Sequence, residues 1–440
     1  MQTLYLATRF NPIFWDTACL IVNSGALEDA EDSTDYGKIA KAISEITNAG
    51  VKVGLIDINH SSAGFEPDVE NNQILFGLKG VLNVGDELVA KIIANRPYKS
   101  PADFLNKVKP DKQAMIALIK GGAFDTMLER KLCMGWYIWK TCDKKSNLTL
   151  QNMPTLMKRN MIPDTDNLSL AKRVYEFNRY LKAICDTITE DNKKIAYCLD
   201  ERSIEFLCEI EKEDMIESDG TLNIKAWDKQ YQLYMDIIRS WLSENKQEVL
   251  NELNSQIFLE DWNKYALGNY SSWEMEALCF YFHPHELINV NFNKYGLSDF
   301  EKLPREPVVD KIYKRGYKEI TLYKLNKICG TCIAKNKNNS TITLLTTSGV
   351  VSVKFSKEYF ALFDKRISER GDDGRKHIIE TSWFDRGSMI VVQGIRNEDT
   401  FLSKKYKSSG GHQLYKIDEI KDNGDIILRT NRYLGDLEDE

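Results

Sequence analysis

Residues 78–96 of this 440-residue chain read LKGVLNVGDELVAKIIANR, and this stretch decides the first part of the fold. A short apolar turn lies between Gly80 and Gly85, and a helical apolar pattern follows it. Gly85 stands where the helix begins, so main-chain amides at the positive end of the helix dipole can meet a phosphate with no Cβ in the way. The expected buried face of the helix consists of Leu88, Val89, Ile92 and Ile93.

This order of turn and helix is that of a helix-hairpin-helix element. Such elements hold the sugar–phosphate strand and read no bases, which predicts DNA binding that is independent of base sequence and weakened by salt. The predicted DNA-binding residues of this stretch are Lys79, Gly80, Val81, Asn83, Val84, Gly85, Lys91 and Arg96. A plain helical turn capped by a glycine is the alternative interpretation.

Composition and charge set the class of protein. The chain has 59 basic and 65 acidic residues, 42% hydrophobic residues and a net charge of −6, which indicates a globular protein and excludes a disordered or fibrous one. Residues 72–122 have a net charge of +4 and residues 326–418 of +6, so a polyanion can be bound locally. No apolar stretch is long enough to span a membrane and no secretory signal is visible, so we expect a cytoplasmic protein with reduced cysteines.

The carboxy-terminal third changes to period-two alternation, which is typical of strands. Four strands are predicted at residues 327–334, 341–346, 350–355 and 388–392, with one helix at about 357–370. This order is that of a small OB-type β barrel. The fold class is therefore α+β and multidomain, mostly helical over the first two-thirds with a helix-hairpin-helix element, and then the barrel.

OB barrels bind single strands by stacking bases on exposed aromatic rings beside a cationic groove. The candidate DNA-binding residues of the barrel are Lys335, Lys337, Arg386, Arg396, Lys404, Lys405 and Tyr406. Phe355 and one of Trp383 or Phe384 are expected to fill the barrel instead. The basic loop at residues 404–411 is the preferred contact.

The ordered set of motifs resembles the C-family replicative DNA polymerases, the alpha subunit of bacterial DNA polymerase III. The motifs that carry the resemblance are Ile58-Asn59-His60-Ser61, Ile74-Leu-Phe-Gly-Leu78, the hairpin, Ser100-Pro-Ala-Asp103, Leu118-Ile-Lys-Gly-Gly-Ala-Phe-Asp125, the block from Trp273 to Leu287, and Ser382-Trp383-Phe-Asp-Arg386. In detail the Trp273 block and the barrel are similar to phage and prophage versions. Residues 1–14 resemble a helix of the family's fingers, where Arg9 is the candidate nucleotide contact.

The resemblance implies the carboxy-terminal portion of such a polymerase, starting downstream of the palm whose paired aspartates hold magnesium. The only internal Asp-x-Asp, Asp164 to Asp166, follows the hairpin in a turn-like setting and is interpreted as a cap or turn. We therefore expect no catalytic residue, metal or cofactor in this chain, which would be inactive alone. Mg²⁺ is expected only on a separate palm-bearing polypeptide that joins it as a partner.

The remaining partner predictions follow from the same resemblance. The expected DNA partners are primer–template duplex and single-stranded template, and Gln232-Leu-Tyr-Met235 distantly resembles peptides that bind sliding clamps. A free-standing, non-catalytic DNA-binding accessory protein is the alternative function. The predicted regions are partial fingers at 1–70, helix-hairpin-helix at 71–126, a helical connector at 127–306, the OB domain at 307–420 and an acidic tail at 421–440.

Two other patterns are given structural interpretations. Cys329 and Cys332 have the spacing of metal ligands, but no second pair accompanies them, so they are interpreted as two strand-edge thiols. His283 and His285 flank a proline that suggests a helix end, so they are interpreted as core or cap residues. The helical, aromatic stretch from Leu222 to Leu253 is expected to form a packed helix pair.

Overall fold

The computed structural model describes residues 12–24, 35–315, 317–370, 375–406 and 410–432. They belong to two compact units: one contains the chain up to Tyr137 together with the chain from Ala266, and the other is Ile138–Tyr265. Within the described ranges, no helix has the length and apolar character needed to cross a membrane. The five region boundaries read from the sequence remain predictions.

The first unit begins with two helices and a small sheet. The helices are α1 (Pro12–Asn23) and α2 (Tyr36–Asn48), and Asp35 caps α2 by accepting a hydrogen bond from the Lys38 amide. The sheet has the order β1-β3-β2, with β1 parallel and β2 antiparallel to β3. Its strands are β1 (Lys52–Gly54), β2 (Glu66–Asp68) and β3 (Gln73–Leu75).

The helix-hairpin-helix region follows as a set of short helices. A single 3-10 turn at Leu78–Gly80 comes first. The helices are α3 (Asp86–Ala94), α4 (Pro101–Val108), α5 (Lys112–Lys120) and α6 (Arg130–Thr141). Val89 and Ile92 are buried as expected and Leu88 is half-buried, but Ile93 is 41% exposed, so its predicted burial was wrong. The helix buries a narrower stripe than the four apolar letters suggest, because Ile93 lies to one side of Val89 and Ile92.

The second unit is built of helices around two apolar cores. Its helices are α7 (Met153–Lys158), α8 (Asp166–Ile184), α9 (Glu201–Glu209), α10 (Ile224–Glu244) and α11 (Lys246–Tyr265). A three-stranded sheet in the order β4-β5-β6 accompanies them. Its strands are β4 (Thr187–Glu190), β5 (Lys193–Cys198) and β6 (Thr221–Asn223). The expected helix pair is α10 and α11, which pack with α8 around Met235 and Leu253.

The first unit resumes with two helices and a hairpin. Helix α12 (Tyr270–Leu278) contains the fully buried Trp273 and Glu274, and α13 (Phe292–Tyr295) is a single turn. The hairpin consists of strands β7 (Val309–Arg315) and β8 (Lys318–Tyr323), which pair with each other alone among the described strands.

A closed five-stranded barrel follows the hairpin. Its strands are β9 (Asn326–Asn336), β10 (Thr341–Thr346), β11 (Gly349–Lys354), β14 (Met389–Asn397) and β15 (Thr400–Ser403). The pairing runs from β9 through β10, β11, β15 and β14 back to β9, with β11 and β15 parallel. Helix α14 (Lys357–Asp364) lies between the third and fourth barrel strands. This connectivity confirms the predicted OB-type barrel.

The remaining strands extend or flank the barrel. They are β12 (Ile367–Arg370), β13 (Lys376–Glu380), β16 (Leu414–Ile420) and β17 (Ile426–Arg429). The helix expected to reach Arg370 ends at Asp364, because residues 367–370 pair with β13 in an antiparallel ladder. Strands β16 and β17 continue the sheet beyond β14.

The barrel interior is filled by apolar and aromatic side chains. Alternate residues point inward, such as Ile342 and Leu344 on β10 and Val351 and Val353 on β11. Phe355, Trp383 and Phe384 are all buried in the same cluster. The prediction that Phe355 and one of the other two rings fill the barrel is confirmed, and the third ring is buried as well.

Candidate nucleic-acid interface

Main-chain hydrogen bonds hold the hairpin against residues 62 and 63. The amides of Leu78 and Lys79 donate to the carbonyls of Ser62 and Ala63, at 2.9 and 3.0 Å. At Gly77 a Cβ would lie 2.4 Å from the carbonyl carbon of Gly64, so only glycine permits this approach. These contacts fix the turn against residues 62–64. A ligand can therefore approach the turn only from the side away from those residues.

A row of main-chain amides points outward from the start of α3. Gly85 is the N-cap residue and offers no side-chain cap, and within the described chain neither its amide nor those of Asp86, Glu87 and Leu88 have an acceptor. The Asn83 amide likewise has no acceptor there, and Asn83 adopts a positive φ of 62°. A Cβ built on Gly85 would meet no atom within 4 Å, so the space in front of these amides is open. This arrangement suits a phosphate oxygen.

Two pairs of charges surround these amides. Lys79 Nζ lies 2.5 Å from Asp86 Oδ1, and Lys91 Nζ lies 3.2 Å from Glu87 Oε1. The two carboxylates stabilise the first turn of the helix, but they also repel an approaching phosphate. The two lysines offset that repulsion, so the positive and negative side-chain charges near the amides are about equal. The amides then determine where a phosphate would bind.

Arg96, one of the predicted DNA-binding residues, has a structural position. Its guanidinium donates to the carbonyl of Ile58 at 2.8 Å and to the carbonyl of Ser61, and burial lowers the pKa of Arg96. Asn59 adds a reciprocal pair of hydrogen bonds with the main chain of Tyr98. Arg96 therefore holds the loop at residues 58–61 against the helix.

The other predicted residues of the hairpin divide by exposure. Gly80, Val81 and Val84 are buried, and Gly80 packs against the ring of Phe76. Asn83, Gly85 and Lys91 are exposed. The sequence interpretation expected main-chain amides at the start of the helix but named only Gly85 among them, not residues 86–88. Their signal was available, since the first three residues after an N-cap have no acceptor within their own helix.

The barrel lysines are held by carboxylates. Lys335 Nζ lies 2.5 Å from Asp364 Oδ1 and 2.8 Å from Asp385 Oδ1, and Lys337 Nζ lies 3.0 Å from Asp364 Oδ2. Burial lowers the pKa of Lys335, but hydrogen bonds to the two aspartates outweigh it and raise the pKa overall. Lys335 thus acts first in joining β9 to α14, whereas Lys337 is 69% exposed.

Helix α2 covers part of the outer face of β9, β10 and β11. Ala40 packs in one cluster with Ile333 and Leu345, and a Cβ on Gly37 would lie 3.3 Å from that of Ala334. A polar cleft of about 570 Å³ lies beside this contact. In nucleic-acid-binding OB barrels this is the face that takes the strand, so here much of it is already occupied by the chain itself.

The other barrel candidates lie in different environments. Arg396 is 5% exposed, and its guanidinium donates to the carbonyls of Phe300, Leu303 and Glu398. This position does not favour the predicted contact with DNA, because the guanidinium already donates to carbonyls inside the protein; the contact stays a prediction. Arg386 is exposed and stacks 4.6 Å over the ring of Tyr36.

The basic loop after β15 contains one exposed and two half-buried candidates. Lys405 is exposed, and Lys404 Nζ lies 5.4 Å from the ring centroids of Tyr323 and Tyr406. Tyr406 accepts a hydrogen bond from the Tyr323 amide at 2.9 Å. Arg9, the candidate nucleotide contact, lies outside the described residues.

The residues that were interpreted as caps, turns or thiols make ordinary structural contacts. Asp164 pairs with Lys172 and Asp166 begins α8. Cys329 and Cys332 are buried thiols, and burial raises both pKa values, that of Cys329 to about 12. Across the described ranges, no group of three or more His, Cys, Asp or Glu residues is arranged to hold a metal ion.

His283, His285 and the clamp-like peptide complete this comparison. His285 accepts a hydrogen bond from the Leu287 amide, which confirms it as a cap residue. His283 Nδ1 lies 2.6 Å from the buried Glu274, but its own side chain is 40% exposed, so it is not a core residue. Residues 232–235 lie inside α10, where Met235 is fully buried. They are therefore not an extended peptide, and a sliding clamp remains a prediction.

Comparison with known proteins agrees with this geometry. A helix-hairpin-helix motif model matches residues 50–132. The chain is 38% identical, over 98% of its length, to the "Probable DNA polymerase YorL" of Bacillus subtilis strain 168 and equally to the "DNA-directed DNA polymerase" of Bacillus phage SPbeta. It is 36% identical over 136 residues to the "DNA polymerase III subunit alpha" of Thermus aquaticus, which is 29% of this chain and 10% of that protein.

The extent of these matches differs between the chain and its relatives. The chain spans 34% of the length of the two Bacillus proteins, about a third. Both the long match and the shorter match to a DNA polymerase III alpha subunit agree with the motifs from which the resemblance was first drawn. The chain is a C-family DNA polymerase-like protein.

Proposed function

We propose that this chain is the DNA-binding portion of a C-family replicative polymerase and that it grips primer–template duplex through its helix-hairpin-helix element. The observation that carries the proposal is the row of outward amides at residues 85–88, with open space over Gly85. A phosphate placed there accepts hydrogen bonds from the main chain and lies at the positive end of the α3 dipole.

The same geometry predicts the character of the binding. Main-chain amides recognise phosphate and not base edges, so affinity is independent of base sequence. The exposed Lys91 near the turn adds a component that falls as salt rises. A replicative polymerase needs this combination, because it must hold every sequence that it copies.

Single-stranded template is the second part of the proposed DNA contact. The barrel offers Lys405 and the ring of Tyr406 at the loop after β15, while α2 covers part of the face next to β10. We therefore place the single strand at the loop side of the barrel. Stacking on an aromatic ring contributes about 1–3 kcal/mol per base in such sites.

The chemical step is proposed to belong to a partner. The relatives are about three times as long as this chain, and we propose that a palm-bearing polypeptide supplies the paired aspartates and Mg²⁺. Co-purification of such a polypeptide, and primer extension that appears only when the two are mixed, would support this. Primer extension by the isolated, pure chain would contradict it.

The DNA grip is tested by adding a side chain at Gly85. Gly85→Val meets no protein atom and keeps an ordinary φ of −86°, so the fold should survive while the valine blocks the phosphate. We expect primer–template affinity at low salt to fall about ten-fold or more, since hydrogen bonds to charged groups contribute about 1.5–3 kcal/mol each. Fluorescence anisotropy of a labelled primer–template measures this.

A matched control separates blocking from a general effect on the helix. Ala90→Val adds similar bulk at an exposed position of the same helix, away from its amino terminus, and should leave affinity unchanged. If Gly85→Val and wild type are both folded and bind primer–template with equal affinity, the hairpin has a structural role and does not bind the phosphate. The free-standing accessory function predicts the same loss at Gly85 but no effect of any palm-bearing partner.

A further inference from the structure

The hairpin of β7 and β8 is an exposed arm that the DNA contacts described above do not include. Its two strands pair with each other, and among described residues its only hydrogen bond to another element is that from the Tyr323 amide to Tyr406. Ile312 is 57% exposed, Tyr313 46% and Tyr317 fully exposed. Ile320, Leu322 and Tyr323 of β8 are half-buried, but a two-stranded hairpin with so few contacts to other elements is marginally stable in water, so this one is expected to gain order from a ligand.

The charge of the arm indicates what kind of ligand it takes. Residues 309–324 contain five basic and two acidic side chains, a net charge of +3 in a chain whose overall charge is −6. Lys311, Lys314 and Lys324 are exposed and form no ion pair with any residue that the structure describes. Exposed cations without counter-ions are complementary to a polyanion.

The aromatic residues of the arm narrow the choice to unpaired bases. Tyr317 lies at the tip of the hairpin. Along β7, Tyr313 lies on the same side as Lys311, and Lys314 lies on the opposite side. Rings interleaved with cations at this spacing can stack on successive bases while the lysines follow the phosphates. A base-paired duplex offers no free base faces along its length, so a single strand uses more of this surface.

The base of the arm is continuous with the basic loop of the barrel. Tyr323, the last residue of β8, is bonded to Tyr406, and Lys404 lies over both rings. Lys324 and Lys405 are exposed on either side of this junction. The loop and the arm are therefore joined at this junction, so a strand bound at the loop lies next to the base of the arm.

We propose that the β7–β8 hairpin is a single-stranded DNA-binding arm that extends the surface of the barrel loop at residues 404–406. The proposal rests on the proposed function, because it assumes that the chain binds template DNA at that loop. It goes beyond that function by assigning Lys311, Lys314, Tyr313 and Tyr317 to the binding of unpaired nucleotides.

The test uses the full chain and three exposed-residue variants. Lys311→Ala/Lys314→Ala should lower the slope of log affinity against log salt by about 1.4 for a labelled 20-nucleotide oligo-dT, at about 0.7 per lost phosphate contact on a single strand. Tyr313→Ser/Tyr317→Ser should weaken oligo-dT binding about five-fold or more. Lys193→Ala/Lys194→Ala, on the exposed β4–β5 hairpin of the other unit, is the matched control and should change neither value.

The possible results separate the proposal for the arm from the proposals for the barrel loop and the helix-hairpin-helix element. Loss of oligo-dT affinity in the lysine and tyrosine variants, with duplex affinity nearly retained, supports the arm. Wild-type oligo-dT binding in both variants overturns the arm and leaves the loop and hairpin proposals standing. An equal loss for blunt duplex and oligo-dT also overturns it, because the surface would then follow phosphates alone. Absence of all DNA binding by the wild-type chain overturns the proposed function together with the arm.

Discussion

Arg130 and Glu274, 144 positions apart in the chain, form a buried ion pair in which Arg130 Nη1 lies 3.0 Å from Glu274 Oε1. Each side chain is at most 1% exposed. Glu274 also accepts hydrogen bonds from the amides of Phe282 and His283, so its charge is shared by several donors. This pair joins the start of α6 to α12.

The first prediction concerns the stability of that connection. Arg130→Met leaves the carboxylate of Glu274 buried with less positive charge to balance it, so we expect the free energy of unfolding to fall by about 3–5 kcal/mol. Urea denaturation followed by tryptophan fluorescence measures this. Lys131→Met, at an exposed position beside it, should shift the unfolding curve by less than about 0.5 kcal/mol. Similar curves for the two variants would show that water reaches the ion pair.

The second prediction concerns the carboxylate beside the proposed phosphate position. Asp86→Asn removes a negative charge at the first position of α3 and releases Lys79, its partner at 2.5 Å. We expect duplex affinity to rise several-fold at low salt and the gain to shrink at high salt, because the effect is electrostatic. Stability should fall by about 0.3–1 kcal/mol, since the helix dipole loses a favourable charge.

The comparison for this variant is Asp111→Asn, which changes a different N-cap in the same region. That substitution should reduce stability without raising duplex affinity, because the Asp111 side chain satisfies the Ala114 amide at the start of α5. If Asp86→Asn binds duplex no better than wild type, the amides of residues 85–88 do not meet a phosphate.

The third prediction concerns pH and His285. Its Nδ1 accepts from the Leu287 amide at 3.0 Å and its Nε2 lies 3.0 Å from the carbonyl of Leu345, an arrangement that requires the neutral ring. Burial lowers the pKa of His285 to about 4, against about 6.5 in an unfolded chain. Between these values the unfolded state binds more protons, so the stability from this group is complete above pH 6.5 and is lost as the pH falls towards 4.

The measurement is the difference between wild type and His285→Asn at each pH. The loss in wild type amounts to about 3 kcal/mol at most. Burial raises the pKa of the neighbouring Glu286, which gives an opposite slope, but that contribution is common to both proteins and cancels in the difference. The substituted asparagine side chain keeps an oxygen for the Leu287 amide and cannot titrate. A constant difference from pH 7 to pH 4 would contradict the prediction, as would an equal effect of the exposed substitution His412→Gln.

The sequence predicted the elements better than their packing. The barrel strands were found because alternate apolar residues such as Ile342 and Leu344 face one interior, and that period is local in the chain. The contact of α2 with the barrel was not predicted. It joins Ala40 to Leu345, about 300 positions away, and each residue taken alone is consistent with any buried site. Contacts between distant elements leave no periodic signal.

Two of the predicted DNA-contact side chains are engaged inside the protein, and the sequence could not show this for a related reason. Arg396 and Arg96 looked like free cations in a basic segment, but both donate to main-chain carbonyls that lie 35 to 96 positions away. Composition counts charge and does not show whether a carbonyl is already in place to accept it. The open space at Gly85 could be predicted from its place at the start of a helix, whereas the close approaches at Gly77 and Gly80 depend on residues 64 and 76 and were not predicted.

The last prediction separates a structural lysine from a binding lysine on the barrel. Lys335 is 25% exposed and held by Asp364 and Asp385, so Lys335→Met should lower the free energy of unfolding by about 1–3 kcal/mol and leave oligo-dT affinity within about two-fold of wild type. Lys405 is exposed, so Lys405→Met should keep the stability of wild type and lower the salt slope of oligo-dT binding by about 0.7. Thermal unfolding and anisotropy titrations at several salt concentrations measure the two effects on the same protein preparations. A fall in affinity for Lys335→Met equal to that for Lys405→Met would mean that Lys335 leaves its carboxylates to bind DNA, and that the covered face of the barrel opens when a strand arrives.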